Sequence, residues 1–285
     1  MILILHILAK LCPVRKGKSW LKDLATKIRR KCYGGLSPED VMRLRANMFH
    51  DFQHILSTAK LHAETFKGFK GAFKGRNVVI LGAGPSLKQF KPIPEAVYIG
   101  LNRACSYKGV ELDYFFAIDN LGICKYYDDV AASQGIKFIG DQGVGKEGQI
   151  PESIIAHLGK DVRRYRTDGG HLDCEDSIFA TDLETMPLGN FHSVAMQAFQ
   201  FALYGEPDKI YLVGIDCSSN GHFDNSDPKK ELVGKHAPKQ NIWAVGAKHD
   251  WLLAKEFAAT YHPQTEIISV NPVGLSGLFK DMRQN

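Results

Sequence analysis

Leu81-Gly82-Ala83-Gly84-Pro85-Ser86-Leu87-Lys88 closes the short apolar run 77–81 with two glycines and a proline. A strand buried on both faces of a parallel sheet reads as such an unbroken apolar run. Glycines at its end let the chain turn sharply into a helix and bring the backbone close to a ligand. In a doubly wound sheet this first strand–helix turn is the usual phosphate site, because the helix N–H groups and dipole favour an anion. Gly82, Ala83, Gly84, Pro85 and Ser86 are therefore candidate ligand contacts, with Ser86 placed to cap the next helix. The third glycine of the GxGxxG pattern is missing, and a tight strand–helix turn can also hold glycines for steric reasons alone.

Outward from this turn, strands and helices alternate. Segments 96–101, 113–118, 136–140, 209–213 and 266–270 read as further strands. Segments 193–204 and 249–261 carry apolar residues at helical spacing. This alternation predicts a Rossmann-like, mostly parallel α/β sheet with helices on both faces. Residues 141–192 show no clear period and hold many Gly, Asp and His, so they read as long loops or a lid. Residues 37–66 read as one or two helices, opened by Ser37-Pro38-Glu39-Asp40, and the glycine-rich stretch 66–75 as a boundary. The expected organisation is a basic helical extension over 1–75 and a ligand-binding domain over 76–285.

Ligands of such sheets sit beyond the C-terminal strand ends. There the sequence delivers Asn102-Arg103, Asp119-Asn120, and Gly214-Ile215-Asp216 followed by Asn220. Each alone has a bland reading as a helix or turn cap; together they favour a cleft. Ser193 opens a helix whose N-terminus is a second candidate anion site or simply a capped end. His192, His222, His236 and His249 fall in the same half of the chain, and a base working near neutral pH is most often histidine. No HExxH, GxSxG or Walker A pattern occurs, which leaves metalloprotease, α/β-hydrolase and P-loop chemistry unsupported.

The 285 residues, 44% hydrophobic and 24% charged, fit a globular α/β domain with an extension. The net charge of +5 is uneven: residues 1–76 hold 16 Lys/Arg against 5 Asp/Glu, and the rest is net acidic. That asymmetry points to an anionic partner, a membrane surface or nucleic acid, or else to a solvated basic helix. Residues 20–31 place Trp20, Leu21, Leu24 and Ile28 on one helical face with Lys and Arg opposite, as in helices that lie on anionic membranes. The start, Met1 to Ala9, is too short and too soon interrupted by Lys10 for a membrane span. The reading is peripheral contact of residues 1–31 with the inner membrane from the cytoplasm, without nucleic acid. Cys12, Cys32, Cys105, Cys124, Cys174 and Cys217 show no CxxC or zinc-type spacing, which favours reduced thiols and no metal site.

Three segments resemble the bacterial sialyltransferases of glycosyltransferase family 42. Leu81 to Lys88 is close to that family's strand-ending G-N-G-P-S-L-K. The second segment runs from Ser193 through Ala202-Leu203-Tyr204 to Lys209 to Asp216 and Asn220-Gly221. The third is Gly246 to Tyr261, followed by Asn271-Pro272. The glycine start and G-x-D strand also resemble the MptE-like pterin pyrophosphokinases and the flagellin-modifying Maf proteins. The sialyltransferase resemblance implies a CMP-type sugar nucleotide as donor and inverting transfer to a glycan or lipid-linked glycan of the cell surface, as in lipopolysaccharide biosynthesis, with no cofactor or metal required. It places Gly82, Gly84 and Ser86 at the donor phosphate and nucleotide, and Asn102, Ser193, Asp216 and Asn220 at the cytidine, ribose or sugar. Ala83 stands where the family has Asn, and the family's tyrosine pair is replaced by Ser218 and His222-Phe223. The family's catalytic histidine follows the glycine matching Gly246; here Ala247 follows it, making His249 the first candidate base and His222 the second. The alternative, a pterin or nucleotide pyrophosphokinase, would use ATP and Mg²⁺ with Asp119 and Asp216 as ligands. A third reading is a nucleotide-sugar sensor without turnover.

Overall fold

The computed structural model describes residues 52–118, 123, 125–141, 150–168, 177–191, 193–218, 221–224 and 242–284. Eight strands form one sheet: β1 (Asn77–Leu81), β2 (Val97–Leu101), β3 (Tyr114–Ala117), β4 (Ile136–Asp141), β5 (Val162–Arg166), β6 (Lys209–Val213), β7 (Glu266–Val270) and β8 (Lys280–Met282). Every neighbouring pair is parallel, in the order β5-β4-β3-β2-β1-β6-β7-β8. The chain thus builds outward from β1 to one edge, returns to lay β6 against the other side of β1, and continues to the opposite edge. This is the Rossmann-like α/β fold, and its reversal of direction falls between β1 and β6.

Alternate residues of the central strands divide between two cores. Val78, Ile80, Ile99, Phe116, Phe138 and Leu212 face one layer, with α4 (Val194–Tyr204), α5 (Ile242–Tyr261) and the segment 66–73. Val79, Leu81, Tyr98, Phe115, Ile139 and Val213 face the other. There they meet the short 3₁₀ turns Pro85–Gln89 and Asn102–Ser106, α2 (Tyr127–Ala132) and α3 (Glu152–His157). Period-two burial with both faces covered is what continuous apolar strands require.

Two strands were absent from the sequence reading. β5 reads Val-Arg-Arg-Tyr-Arg, whose basic residues hide a strand, and β8 is three residues with Lys and Asp in it. Segment 141–192 is accordingly not all loop, since α3 and β5 lie within it. The stretch 66–75 is also more than a boundary: Phe66, Phe69 and Phe73 are buried in the first core. The helix before it, α1 (Phe52–Thr65), packs on β5. Its buried His62 accepts the Arg166 N–H at Nε2 (2.8 Å), and its Nδ1 lies 3.0 Å from the carbonyls of Leu183 and Met186. Those partners put the proton on Nδ1 and make the ring a neutral structural staple. The readings for residues 1–31 and for Ser37 to Asp40 lie outside the described residues.

Phe201 of α4 is the hub of the first core, with ring centroids of Phe69, Tyr114, Phe116 and Phe138 all within 5.3 Å. Phe201→Ala would leave a cavity among rings contributed by α4, β3, β4 and the 66–73 segment. We expect it to lower unfolding free energy by about 3–5 kcal/mol in urea titrations. A loss under about 1 kcal/mol would show that these rings do not share one packed core.

Candidate functional site

The crossover between β1 and β6 leaves a crevice beyond their C-terminal ends, the place where open α/β sheets bind ligands. The two chain segments leaving it are locked together. The Gly82 N–H donates to the Val213 carbonyl and the Gly84 N–H to the Gly214 carbonyl, both at 2.8 Å. A Cβ on Gly82 would sit 2.6 Å from the Gly214 oxygen, and one on Gly84 would sit 2.4 Å from Asp216 Oδ2. Gly214 adopts φ +65°, which glycine tolerates, and a Cβ there would lie 2.4 Å from the Gly82 oxygen. The glycines are therefore required by close packing of two backbones.

Asp216, buried at the end of this lock, takes the position expected for a bound phosphate. Its Oδ2 accepts the Ser86 N–H at 2.9 Å, and its Oδ1 accepts the Ser86 hydroxyl. Ser86 does not cap the following turn, as its sequence position suggested: Gly84 is the N-cap residue, and the anion at this end is the chain's own carboxylate. With Leu87 N–H bonded to Gly84 O, the amides of Gly82, Gly84, Ser86 and Leu87 are all committed within the protein. Those four amides are thus engaged by the turn's own packing.

Other expected residues do converge on the same edge. Asn102 directly follows β2 at φ +47°, and its Oδ1 is shielded from water without a hydrogen-bond partner among the described residues. An unsatisfied buried acceptor costs about 1–3 kcal/mol, so it asks for a donor from elsewhere. Arg103 is 6% exposed, with its guanidinium 5.5 Å from the centre of the Tyr126 ring. The Tyr126 hydroxyl hydrogen-bonds to Asp224. Beside Asp224, the Phe223 N–H donates to the Ala83 carbonyl at 2.9 Å, and the Phe223 ring meets Tyr107 edge-on at 5.9 Å. Segment 221–224 thus crosses the glycine turn, and His222 stands next to its anchoring residue. Tyr107, Tyr126 and Asp224 escaped the sequence reading because they lie in aperiodic segments with no motif around them; Phe223 entered it only as part of the stretch that stands where the resembling family has its tyrosine pair.

Ser193 caps α4, its hydroxyl accepting the Ala195 N–H at 3.2 Å. Because α4 runs back to the start of β6, this capped N-terminus lies at the same sheet edge. Before it, Phe191 adopts φ +45°. His249 is exposed on α5, between Lys248 and Asp250, whose charges act on Cys217. Cys217 follows Asp216 directly, so this part of α5 borders the far end of the lock. Asp119, Asn120, His192, Asn220 and His236 lie outside the described residues.

Burial pushes the thiols of both Cys105 and Cys217 up to about 12, so neither is a thiolate nucleophile near neutral pH. No group of His, Cys, Asp and Glu with metal-binding geometry is present among the described residues. No helix among them is long and apolar enough to cross a membrane.

No protein-family model matches the chain, and no curated protein matches it. Among solved structures, the Maf glycosyltransferase from Magnetospirillum magneticum AMB-1 is similar at 15% identity with a TM-score of 0.41. That match covers 87% of this chain and 41% of the other, so this chain spans about two-fifths of its length. A likeness at that distance says nothing of reaction or substrate.

Two outcomes test the site. Asp216→Ala strands the buried Ser86 N–H and should cost about 1–3 kcal/mol in urea unfolding, with Asp216→Asn costing less. Equal stability of Asp216→Ala and the parent chain would mean the lock is not closed by this carboxylate. Brief iodoacetamide treatment at pH 8 with peptide mapping should leave buried Cys105 and half-buried Cys217 unmodified until the protein is unfolded; labelling in the native state would contradict the burial of the first or the raised pKa of the second.

Proposed function

We propose that the chain is a glycosyltransferase of sialyltransferase-like type, moving a sugar from a CMP-type nucleotide donor to a glycan or lipid-linked glycan hydroxyl. The observation that supports this reading is that Asp216 follows β6 while Asn102 and Arg103 follow β2, at the C-terminal strand ends on either side of β1, where an α/β sheet receives a ligand. The three resembling sequence segments supply the strands and turns that build this edge.

The polarity of the edge assigns the parts of the donor. The orphan acceptor on Asn102, with the Asp216 carboxylate as a second acceptor, suits the amino and hydroxyl groups of a nucleoside. The phosphate then belongs with the cationic side of the site, at the Arg103 guanidinium and the capped N-terminus of α4 at Ser193. During transfer the acceptor oxygen bonds to the anomeric carbon as the bond from that carbon to the phosphate oxygen breaks. The acceptor's proton passes to a histidine. Positive charge at Arg103 and the helix dipole stabilise the departing phosphate.

His222 is the better-placed base, because Phe223 ties its segment to Ala83. His249 is the second candidate, on the exposed surface of α5. The pyrophosphokinase reading would use Asp216 together with Asp119 as magnesium ligands, and Asp119 lies outside the described residues.

Calorimetry with CMP, UDP, GDP and ATP, each with Mg²⁺ and with EDTA, tests the reading. CMP should bind, and EDTA should not weaken it. Binding of ATP alone, and only with Mg²⁺, would favour phosphoryl-transfer chemistry instead. With a turning-over donor, His222→Ala should lower the rate at least about a hundredfold. A full-rate His222→Ala coupled with an inactive His249→Ala would hand the role to α5.

A further inference from the structure

Residues 66–75 repeat one device three times: Phe66-Lys67-Gly68, Phe69-Lys70-Gly71 and, after Ala72, Phe73-Lys74-Gly75. Each phenylalanine is buried, each lysine is exposed, and each glycine adopts positive φ, at +82°, +67° and +72°. The reversal at each glycine returns the next ring to the core while the lysine stays outside, a course that residues with a Cβ adopt only at a cost. The Phe rings and Gly turns are accounted for by packing. The repeated lysines are not.

The tract is rigid and its surroundings are basic. Gly71 N–H and Phe73 N–H donate to the carbonyls of Tyr204 and Gly205, pinning it to the end of α4. The Arg163 guanidinium lies 5.2 Å from the centre of the Phe69 ring and donates to the Thr65 carbonyl. Lys60 and Arg76 are exposed on either side. Two acids temper this charge: Glu64 on α1, and Glu206, which pairs with Lys74 at 3.0 Å. Lys67 and Lys70 carry the surplus.

We propose that this tract is a docking face for an anionic lipid surface. Three features favour lipid over nucleic acid. All three aromatic rings are buried, so none offers a platform for stacking bases. The charges project from successive turns, which suits a smeared field of headgroups and needs no groove. The sequence leading into α1 adds an apolar start and the Trp20, Leu21, Leu24, Ile28 stripe, the second attraction that stable peripheral binding requires. Residues 1–76 are net +11 in sequence and the remainder net −6, so the part of the chain that includes this tract is the one an anionic surface attracts. The tract joins α4's C-terminal end and leads into β1 from its N-terminal side. Docking here leaves the opposite sheet edge, with Asp216 and Asn102, facing away from the bilayer.

The test is co-sedimentation of the full chain with phosphatidylserine/phosphatidylcholine vesicles and with pure phosphatidylcholine vesicles at 0.1 M NaCl. Binding should need phosphatidylserine. An energy of about 1 kcal/mol per lysine at such a surface corresponds to roughly fivefold per charge, so Lys67→Glu/Lys70→Glu should lose about 25-fold or more. Lys91→Glu/Lys160→Glu makes the same change in net charge away from the tract and should lose far less. Lys67→Gln/Lys70→Gln, with unchanged melting temperature, repeats the test should the double Glu variant not fold. Absence of vesicle binding, equal losses in the two lysine pairs, or tighter binding to a short DNA duplex at the same salt would each overturn the proposal.

Discussion

Two backbones meet at the crossover with no space for a side chain between them, and the shape of the ligand edge follows from that contact. Gly82 and Gly84 present bare Cα atoms to Gly214 and Asp216, and amide–carbonyl bonds run between the two segments. The approach brings the Asp216 carboxylate within reach of Ser86, which closes the lock with its amide and its hydroxyl. An anion held by an N–H group beside a tight turn is a familiar use of backbone dipoles, here met by a residue of the chain.

That internal anion changes which part of a ligand the crevice suits. In a dinucleotide-binding sheet the first turn's amides are open donors and phosphate approaches them. Here Gly82, Gly84 and Ser86 spend their amides within the protein, and the edge offers a carboxylate and the orphan side-chain oxygen of Asn102. Acceptors call for donors, so this part of the edge suits hydrogen-bond donors over anions. The counter-charge sits one strand away, at Arg103, where burial over Tyr126 makes a cation more effective than it would be in water.

The sequence read well where a single physical signal dominated. Apolar runs located six strands, because a strand covered on both faces has no polar side to blur the pattern. β5 was invisible because three of its five residues are arginines, each with a side-chain contact of its own: Arg163 at Phe69, Arg164 at Asp141 and Arg166 at Ser57. At the site, the glycines and Asp216 were legible as a group but not as partners. Their pairing depends on β6 returning to the side of β1, a long-range event that local spacing does not encode. For the same reason Tyr126 and Asp224, 98 residues apart, gave no sign of meeting. The steric and the ligand readings of the glycine turn were both tenable from its residues. Geometry supplies the observation for the steric one: a Cβ at Gly82, Gly84 or Gly214 would collide with the facing segment.

Backbone conformation marks the same neighbours independently of any charge argument. Asn102, Phe191 and Cys217 hold positive φ without being glycine at the C-terminal strand edge or its approach, while Glu95 and Glu206 hold it in the turns that enter β2 and β6. Such conformations persist only where surrounding structure enforces them, and they concentrate where a side chain must be aimed. Asn271, after β7, is a useful contrast. It shares the conformation, but its side chain is consumed by Gln284 and Gln89, so its strain is explained by anchoring the C-terminal segment. No such bond accounts for the Asn102 carbonyl, and it follows the strand that flanks the crossover. Conformation, an unspent acceptor and topology thus single out the same side chain by three separate routes.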